Sequence, residues 1–394
     1  MKVLMFGWEF PPNISGGLGT ACFGITRALR EIGGVEVRFV IPGAAAGEDG
    51  RFVDIMALGE LRACRREGAA LLPLNPYGSA LFDAVAAYAS RVPALLESGV
   101  EFDLIHAHDW LTCEAAMVAS RLSGKPLVLH VHSTEYDRAG ACADPALVAI
   151  ERRGMDAARV IVAVSEFTRE LLVQRYGQAR SKIVTVYNAT GAARSRPQPA
   201  AAGRAPTACF LGRITYQKGP RYFIEAAARA AMAAPGMQFV MAGEGDQLAA
   251  MKQLARELGI GAQVFFPGFL RAHEVAHLMR HSDIYVMPSV SEPFGISALE
   301  AIAAGVPSIL SAQSGVVELF DHVVKVQHSD VAAIGTAMAR LARDPALRQH
   351  LREGAWRELE QVSWTRAARS LVQVYGSVLP ARPVMHEPEV AAIW

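Results

Sequence analysis

The sequence is short of lysine, of paired cysteines, of long apolar runs and of net charge, and each shortage narrows what the chain can be. Six lysines stand against 33 arginines, so a lysine placed at a strand end is informative. The formal net charge is +1, with 19 basic against 21 acidic residues in 1–193 and 20 against 17 thereafter, or −2 and +3. That balance gives no general attraction for nucleic acid, so any basic site has to be local. The five cysteines (Cys22, Cys64, Cys113, Cys142, Cys209) form no Cys-x-x-Cys pair. Their odd number points to free thiols in a reducing, cytoplasmic setting. No run of about 18 apolar residues exists to span a membrane. The opening MKVLMFGWEF is interrupted by Glu9 too early for a signal peptide.

What the chain does have is bulk and rhythm. Its 394 residues, 52% hydrophobic and 20% charged, can bury a core large enough to divide into two domains. KVLMF, a glycine-rich loop, the helical pattern TACFGITRALREIG and VEVRFVIP make a strand, loop, helix, strand unit, which favours a parallel sheet covered by helices. The alternation continues through FDLIHAH, PLVLHVH, RVIVAVS and IVTVYN. RSRPQPAAAGRAP, residues 194–206, has no periodic apolar face and reads as a linker. TACFLGR, MQFVMAGEG, VFFPGF, DIYVMPS and PSILS then restart the pattern. The expected organisation is a first α/β domain over 1–193, the linker over 194–206, a second α/β domain over 207–362, and a final amphipathic helix and tail over 363–394. Two open α/β domains in series turn two sets of strand-end loops toward one crevice, the default binding site.

Several polar or glycine clusters fall at those strand ends. Ser15-Gly16-Gly17-Leu18-Gly19 lies between the first strand and first helix, where free N–H groups can wrap a phosphate. Cys22 occupies the place of the third glycine of a dinucleotide fingerprint, which disfavours a nicotinamide cofactor. His106 and His108 end one strand and His130 and His132 end its neighbour, each pair on one face. Four imidazoles, with Asp109 or Glu135 able to join, invite a metal; neutral hydrogen-bonding roles are the preferred reading. Arg213 and Lys218 leave the first strand of the second domain and can neutralise a diphosphate without a metal. Gly243, Glu244 and Gly245 close the next strand. In MPSVSEPFGISALEAIAAGVP, Glu292 stands in a loop, Phe294-Gly295 turn into a helix and Glu300 sits about two turns in, with Gly305 and Pro307 as stops. Two carboxylates there suit vicinal hydroxyls, as in a sugar and a ribose; the plainer alternative is that they favour the helix dipole and face solvent.

In order and spacing, GGLG, HDW with HVHSTE, VSEFTRELL, LGRITYQKG, GEGD, SEPFGISALEAIAAGVP and VSWTRAARSLVQVY resemble the GT-B retaining glycosyltransferases, family 4, glycogen synthase-like, over nearly the whole chain. The resemblance implies two Rossmann-like doubly wound parallel-sheet domains facing a central crevice, the first binding acceptor and the second a nucleotide sugar. The final helix would cross back to the first domain. By position, Arg213 and Lys218 would hold the diphosphate and Glu300 the ribose. Glu292 and the Phe294-Gly295-Ile296 backbone would hold the transferred sugar. Gly17, flanked by Gly16 and Leu18, would offer N–H to phosphate, and His132 would contact the sugar near the reacting centre. Asp109, Gly243 and Glu244 complete the substrate-binding set.

The implied donor is a UDP- or ADP-glucose type nucleotide sugar, the acceptor a glucan or other glycan, and no metal or cofactor is expected. Ile14-Ser15 replace the lysine that commonly precedes this glycine loop in bacterial glycogen synthases, and Ala189 replaces the usual glycine after VYN. The first weakens an ADP-glucose glucan synthase assignment; the second leaves Asn188 outside the site. The −2 first domain, with only Arg62, Arg65 and Arg66 as a local patch, limits membrane contact to weak peripheral binding. A homo-oligomer remains open. The rivals are a sugar-nucleotide epimerase of the same plan, a catalytically silent sugar-nucleotide-binding subunit and, last, a nicotinamide oxidoreductase.

Overall fold

The computed structural model describes residues 1–11, 14, 16–43, 53–59, 79–192 and 205–380. The Arg62, Arg65 and Arg66 patch, Cys64, residues 193–204, which hold most of the expected linker over 194–206, and residues 381–394 of the tail lie outside the described residues. Short aliphatic runs between polar or glycine turns become strands, and the longer amphipathic segments become helices. The first unit runs β1 (Lys2–Phe6), α1 (Gly17–Ile32), β2 (Glu36–Ile41), β3 (Asp54–Ala57), α2 (Ser79–Ser90), α3 (Val92–Glu97), β4 (Leu104–His108), α4 (Trp110–Ser123), β5 (Leu127–Val131), α5 (Glu135–Ala139), α6 (Pro145–Ala157), β6 (Val160–Ala163), α7 (Glu166–Tyr176) and β7 (Ile183–Thr185). The second runs β8 (Thr207–Leu211), α8 (Pro220–Ala233), β9 (Gln238–Ala242), α9 (Leu248–Glu257), β10 (Val264–Gly268), α10 (Ala272–His281), β11 (Ile284–Met287), α11 (Ile296–Ala303), β12 (Ser308–Ser311), β13 (Val324–Val326), α12 (Val331–Arg343) and α13 (Pro345–Glu358); α14 (Trp364–Val378) follows.

Among the described residues the strands form a seven-stranded sheet of order β3-β2-β1-β4-β5-β6-β7 and a six-stranded sheet of order β10-β9-β8-β11-β12-β13. Every pair within them is parallel. Strand order reverses between β1 and β4 and again between β8 and β11, so each sheet opens a crevice beyond those strand ends. β4 and β5 are buried at every position, because helices cover both faces.

The last helix packs on the first. Trp364 packs against Gly24 of α1, where an added Cβ would come within 2.2 Å of the indole. Leu371 and Tyr375 of α14 join Val3, Met5, Ile25 and Leu29 in one apolar cluster. The loops of the two sheets are also bonded directly. Glu318 accepts from the Glu166 and Phe167 N–H groups at the start of α7 (2.9 and 2.7 Å), the end of a helix where a carboxylate is favoured. Ser165 Oγ and Thr168 Oγ1 both donate to the Pro293 carbonyl (2.6 and 3.2 Å), and Ser291 Oγ donates to Asp137 Oδ1 (2.6 Å). No helix among the described residues is long and apolar enough to cross a membrane.

Candidate active site

The second sheet supplies a cation and a carboxylate already paired. The loop leaving β8 tightens into a single turn, Tyr216–Lys218, ended by Gly219 at φ 64°. A Cβ on Gly219 would stand 2.0 Å from the Pro288 carbonyl oxygen, so only glycine lets this loop lie against the end of β11. Val290 N–H donates to the Gln217 carbonyl (2.8 Å), and the Gln217 amide donates to the Ser291 carbonyl (3.2 Å). These bonds place Lys218 Nζ 2.7 Å from Glu292 Oε2, with the two side chains only 20% and 10% exposed. Ser289 Oγ donates to the same oxygen at 3.2 Å. Glu292 is held in turn by its own N–H on the Gln313 carbonyl and by Gly315 N–H on its carbonyl. Arg213 is exposed beside this pair and donates from Nη2 to Gln217 Oε1 at 3.2 Å.

Two helix N-termini, one from each sheet, come together at Gly17 and Ile296, the latter four residues after Glu292. Phe294 is buried, so only its backbone is available to a ligand; Gly295, at φ 112°, then caps α11. A Cβ on Gly17, the first residue of α1, would lie 3.8 Å from Ile296 Cδ1, the first residue of α11. The opening N–H groups of a helix have no partner within it and carry its positive end, so both termini suit an anion. The glycines divide the work. Gly16 and Gly17 are open and Leu18 is half-buried, whereas Gly19 is buried, its N–H donating to Glu9 Oε1 (3.0 Å) and its Cα hard against Ile14. Glu300 lies four residues after Ile296, hence on the same face. It falls one turn into α11 rather than two, because the helix begins only at Ile296. Burial raises its carboxyl to about 7, and no hydrogen bond or ion pair reaches that carboxyl among the described residues.

The first sheet brings the histidines together. His108 pairs with His130 across β4 and β5, and His106 and His132 sit two residues away on the same face. His106, His108 and His130 are fully buried, while His132, just past β5, is partly open. His108 Nδ1 lies 2.9 Å from His132 Nε2, and His106 Nδ1 lies 2.7 Å from the Tyr375 hydroxyl. Desolvation lowers all four rings, His106 to about 3, so they are neutral at pH 7. The expected bonds to backbone or ligand are only part of the outcome. His106 Nε2, His108 Nε2, His132 Nδ1 and both nitrogens of His130 have no partner among the described residues.

Asp109 holds the one positive φ outside glycine among the described residues (57°), a strained backbone of the kind found at working sites. Its Oδ1 accepts from the His132 and Ser133 N–H groups (2.6 and 3.3 Å), which ties the end of β5 to the start of α4. Burial raises that carboxyl to about 7 against these bonds. Gly243, at φ 132°, is pressed so closely on the Gly212 carbonyl that a Cβ would meet it at 1.9 Å. The Glu244 carbonyl accepts from Ile214 N–H (2.8 Å), so this loop and the Arg213 loop brace each other through backbone. The exposed Glu244 side chain lies toward Gly268, not at the Lys218–Glu292 pair.

Sequence reasoning missed Gln217, Ser289, Ser291, Asp137 and the Glu9 bond to the glycine loop. Only the local caps carried a signal, such as Ser165 followed three residues later by Thr168; partners more than a hundred positions apart leave none.

Residues 192–357 match the family model described as Glycosyl transferases group 1, and residues 15–194 match Glycosyltransferase Family 4. The D-inositol 3-phosphate glycosyltransferase 1 of Catenulispora acidiphila is 30% identical over 311 residues, 72% of this chain and 74% of that protein. The glycogen synthase of Mycobacterium tuberculosis is 29% identical over 400 residues, 95% of this chain and 94% of that one. Among solved structures, Anabaena HepE in complex with UDP and glucose superimposes with a TM-score of 0.75 at 17% identity, covering 96% of this chain and all of that one, 100%. With both sheets in that GT-B arrangement and both family models matched in sequence order, the chain belongs to the group 1, family 4 glycosyltransferases.

Proposed function

We propose that this transferase moves a hexose, glucose first, from a nucleoside diphosphate sugar to a glycan acceptor with retention of anomeric configuration and without a metal. The observation that carries the reading is the Lys218–Glu292 pair, 2.7 Å apart, with Glu292 four residues ahead of Ile296, where the N-termini of α1 and α11 come together. Lys218, Arg213 and the Gly17 N–H supply positive charge for a diphosphate, so no divalent ion is needed to neutralise it. Glu300, half-buried and without a partner among the described residues, is matched to the two donor hydroxyls of a ribose. Glu292 and the backbone of Phe294, Gly295 and Ile296 receive the sugar hydroxyls, with His132 closing the far side. Asp109 acts through His132 by fixing the backbone that carries it. HepE has been captured with UDP-glucose, which supports a uridine donor of this type.

In the reaction the bond from the anomeric carbon to the leaving phosphate oxygen breaks as an acceptor hydroxyl approaches on the same face, and the acceptor oxygen bonds to the anomeric carbon. The acceptor proton passes to that phosphate oxygen, and the nucleoside diphosphate leaves. Charge grows on the phosphate and falls on the ring, so the two cations act most strongly at the transition state. A panel of UDP-, ADP- and GDP-sugars, assayed for released nucleoside diphosphate with glycan acceptors and with EDTA, tests the reading. Acceptor-dependent release that EDTA leaves unchanged supports it. An epimerised nucleotide sugar formed without acceptor, or strict dependence on a divalent ion, overturns it.

A further inference from the structure

We propose that His106, His108 and His130 form a buried three-nitrogen site for a divalent transition ion of the zinc class, beneath the crevice and separate from the donor clamp. One nitrogen from each of the three rings lies within 4.8 Å of the others. Each ring is fully buried. Where His106 and His108 do have a partner, it is at Nδ1: the Tyr375 hydroxyl and His132 Nε2. If Tyr375 and His132 accept, Nδ1 is the protonated nitrogen of both rings, and their Nε2 atoms carry free lone pairs with no partner among the described residues. His130 has no partner at either nitrogen among the described residues. Metal-bound histidines characteristically give their second nitrogen to a polar neighbour in this manner, which sets the tautomer and aims the ring.

Hydrogen bonding does not account for the arrangement. His106 and His130 stack with their planes 8° apart and centroids 5.5 Å apart, and His130 stacks on His132 at 4.2 Å, so ring faces meet ring faces and the nitrogens stay unsatisfied. Buried polar atoms are nearly always partnered, and several orphans in one place indicate a missing partner. Neutral imidazole is a ligand for zinc, copper or nickel, and three of them leave an open fourth position. Nitrogens on a tetrahedral zinc stand about 3.3 Å apart, so the rings have to turn inward from their stacked positions to close on an ion. Such an ion would pin β4 to β5, hold α14 through Tyr375, and orient His132 through His108. It takes no part in neutralising the diphosphate, and its test reads metal binding rather than turnover, so its failure is distinguishable from failure of the transfer reaction.

The test uses the full chain without a histidine tag, stripped of metal and titrated with Co2+ and Zn2+ against a competing chelator. The expected result is one ion per chain, a ligand-field absorption band from bound cobalt, and an X-ray absorption spectrum showing imidazole scattering. His106→Gln and His130→Gln should each lower affinity at least tenfold, by the ordinary effect of losing one of three ligands. His273, His277 and His281 form an exposed stripe on α10, and replacing all three with alanine should leave binding intact. Absence of stoichiometric binding by the natural chain overturns the proposal, as does binding that survives both glutamine variants or disappears with the α10 stripe. If the glutamine variants do not fold, the cobalt and X-ray absorption spectra of the natural chain decide alone.

Discussion

Replacing Lys218 with alanine is the most informative single perturbation of the donor clamp. Its Nζ sits 2.7 Å from Glu292 Oε2 in a pair that is 20% and 10% exposed, so it is a preorganised charge that needs little reorganisation when phosphate arrives. Loss of one such group costs about 10²–10³ in kcat, equivalent to about 3–4 kcal/mol of transition-state stabilisation. The stability cost is smaller. Glu292 is buried, but it keeps the 3.2 Å bond from Ser289 and its backbone ties to Gln313 and Gly315, which offset part of the cost of leaving its carboxylate without the lysine. We expect about 1–2 kcal/mol, enough to lower the melting point by a few degrees without unfolding the chain at assay temperature. Steady-state release of nucleoside diphosphate, read beside a thermal melt, separates the two effects. Lys218→Ala combined with Glu292→Gln should lose less than the product of the single losses, because the two side chains serve one ligand. A Lys218→Ala enzyme that keeps near-normal kcat/KM with its best donor would refute the assignment, as would a loss matched by unfolding.

Three further outcomes follow from particular contacts. Gly17→Ala adds a methyl at ordinary van der Waals distance from Ile296, so the melting point should hold while donor KM rises several-fold, by about 1 kcal/mol of binding. Gly243→Ala forces a Cβ to within 1.9 Å of the Gly212 carbonyl at a φ of 132°, and a loss of roughly 2–4 kcal/mol in denaturant unfolding is expected. Glu300, raised to about 7 by burial, binds its proton more tightly in the folded chain than in the unfolded one. Its contribution therefore favours the fold below about pH 4.5 and is lost as pH rises through 7, a difference of roughly 3 kcal/mol at most. Glu300→Gln should flatten that slope and raise stability at pH 8, while kcat/KM for the donor falls and loses its rise through pH 7.

Much of this was legible in the sequence because the signals are local. The alternation of aliphatic runs with amphipathic helices gives both parallel sheets, and the glycine, Arg-Lys and Glu-rich clusters fall at strand ends where sheet topology gathers them. The short edge strands Asp54–Ala57 and Val324–Val326 escaped notice, since three or four residues carry too little pattern to separate a strand from a loop. The onset of α11 was misjudged because the backbone of Phe294 and Gly295 is committed to a cap and to the bond from Val316 before the helix can begin. What the sequence could not express is distance. Glu292 meeting Lys218 spans 74 positions, and Tyr375 meeting His106 spans 269. The histidines show the limit most clearly: period two placed them on one face, but only the structure reveals that most of their nitrogens lack partners.

Retained transfer of a hexose from a nucleoside diphosphate sugar leaves its mark on the anomeric configuration of the product. The most direct measurement follows the anomeric proton by NMR as the natural chain converts an α-linked UDP-hexose and a glycan acceptor. A new α-glycosidic signal growing in step with free UDP is the predicted result. A β-glycosidic signal, or UDP-sugar that changes configuration with no acceptor glycosylated, would contradict it.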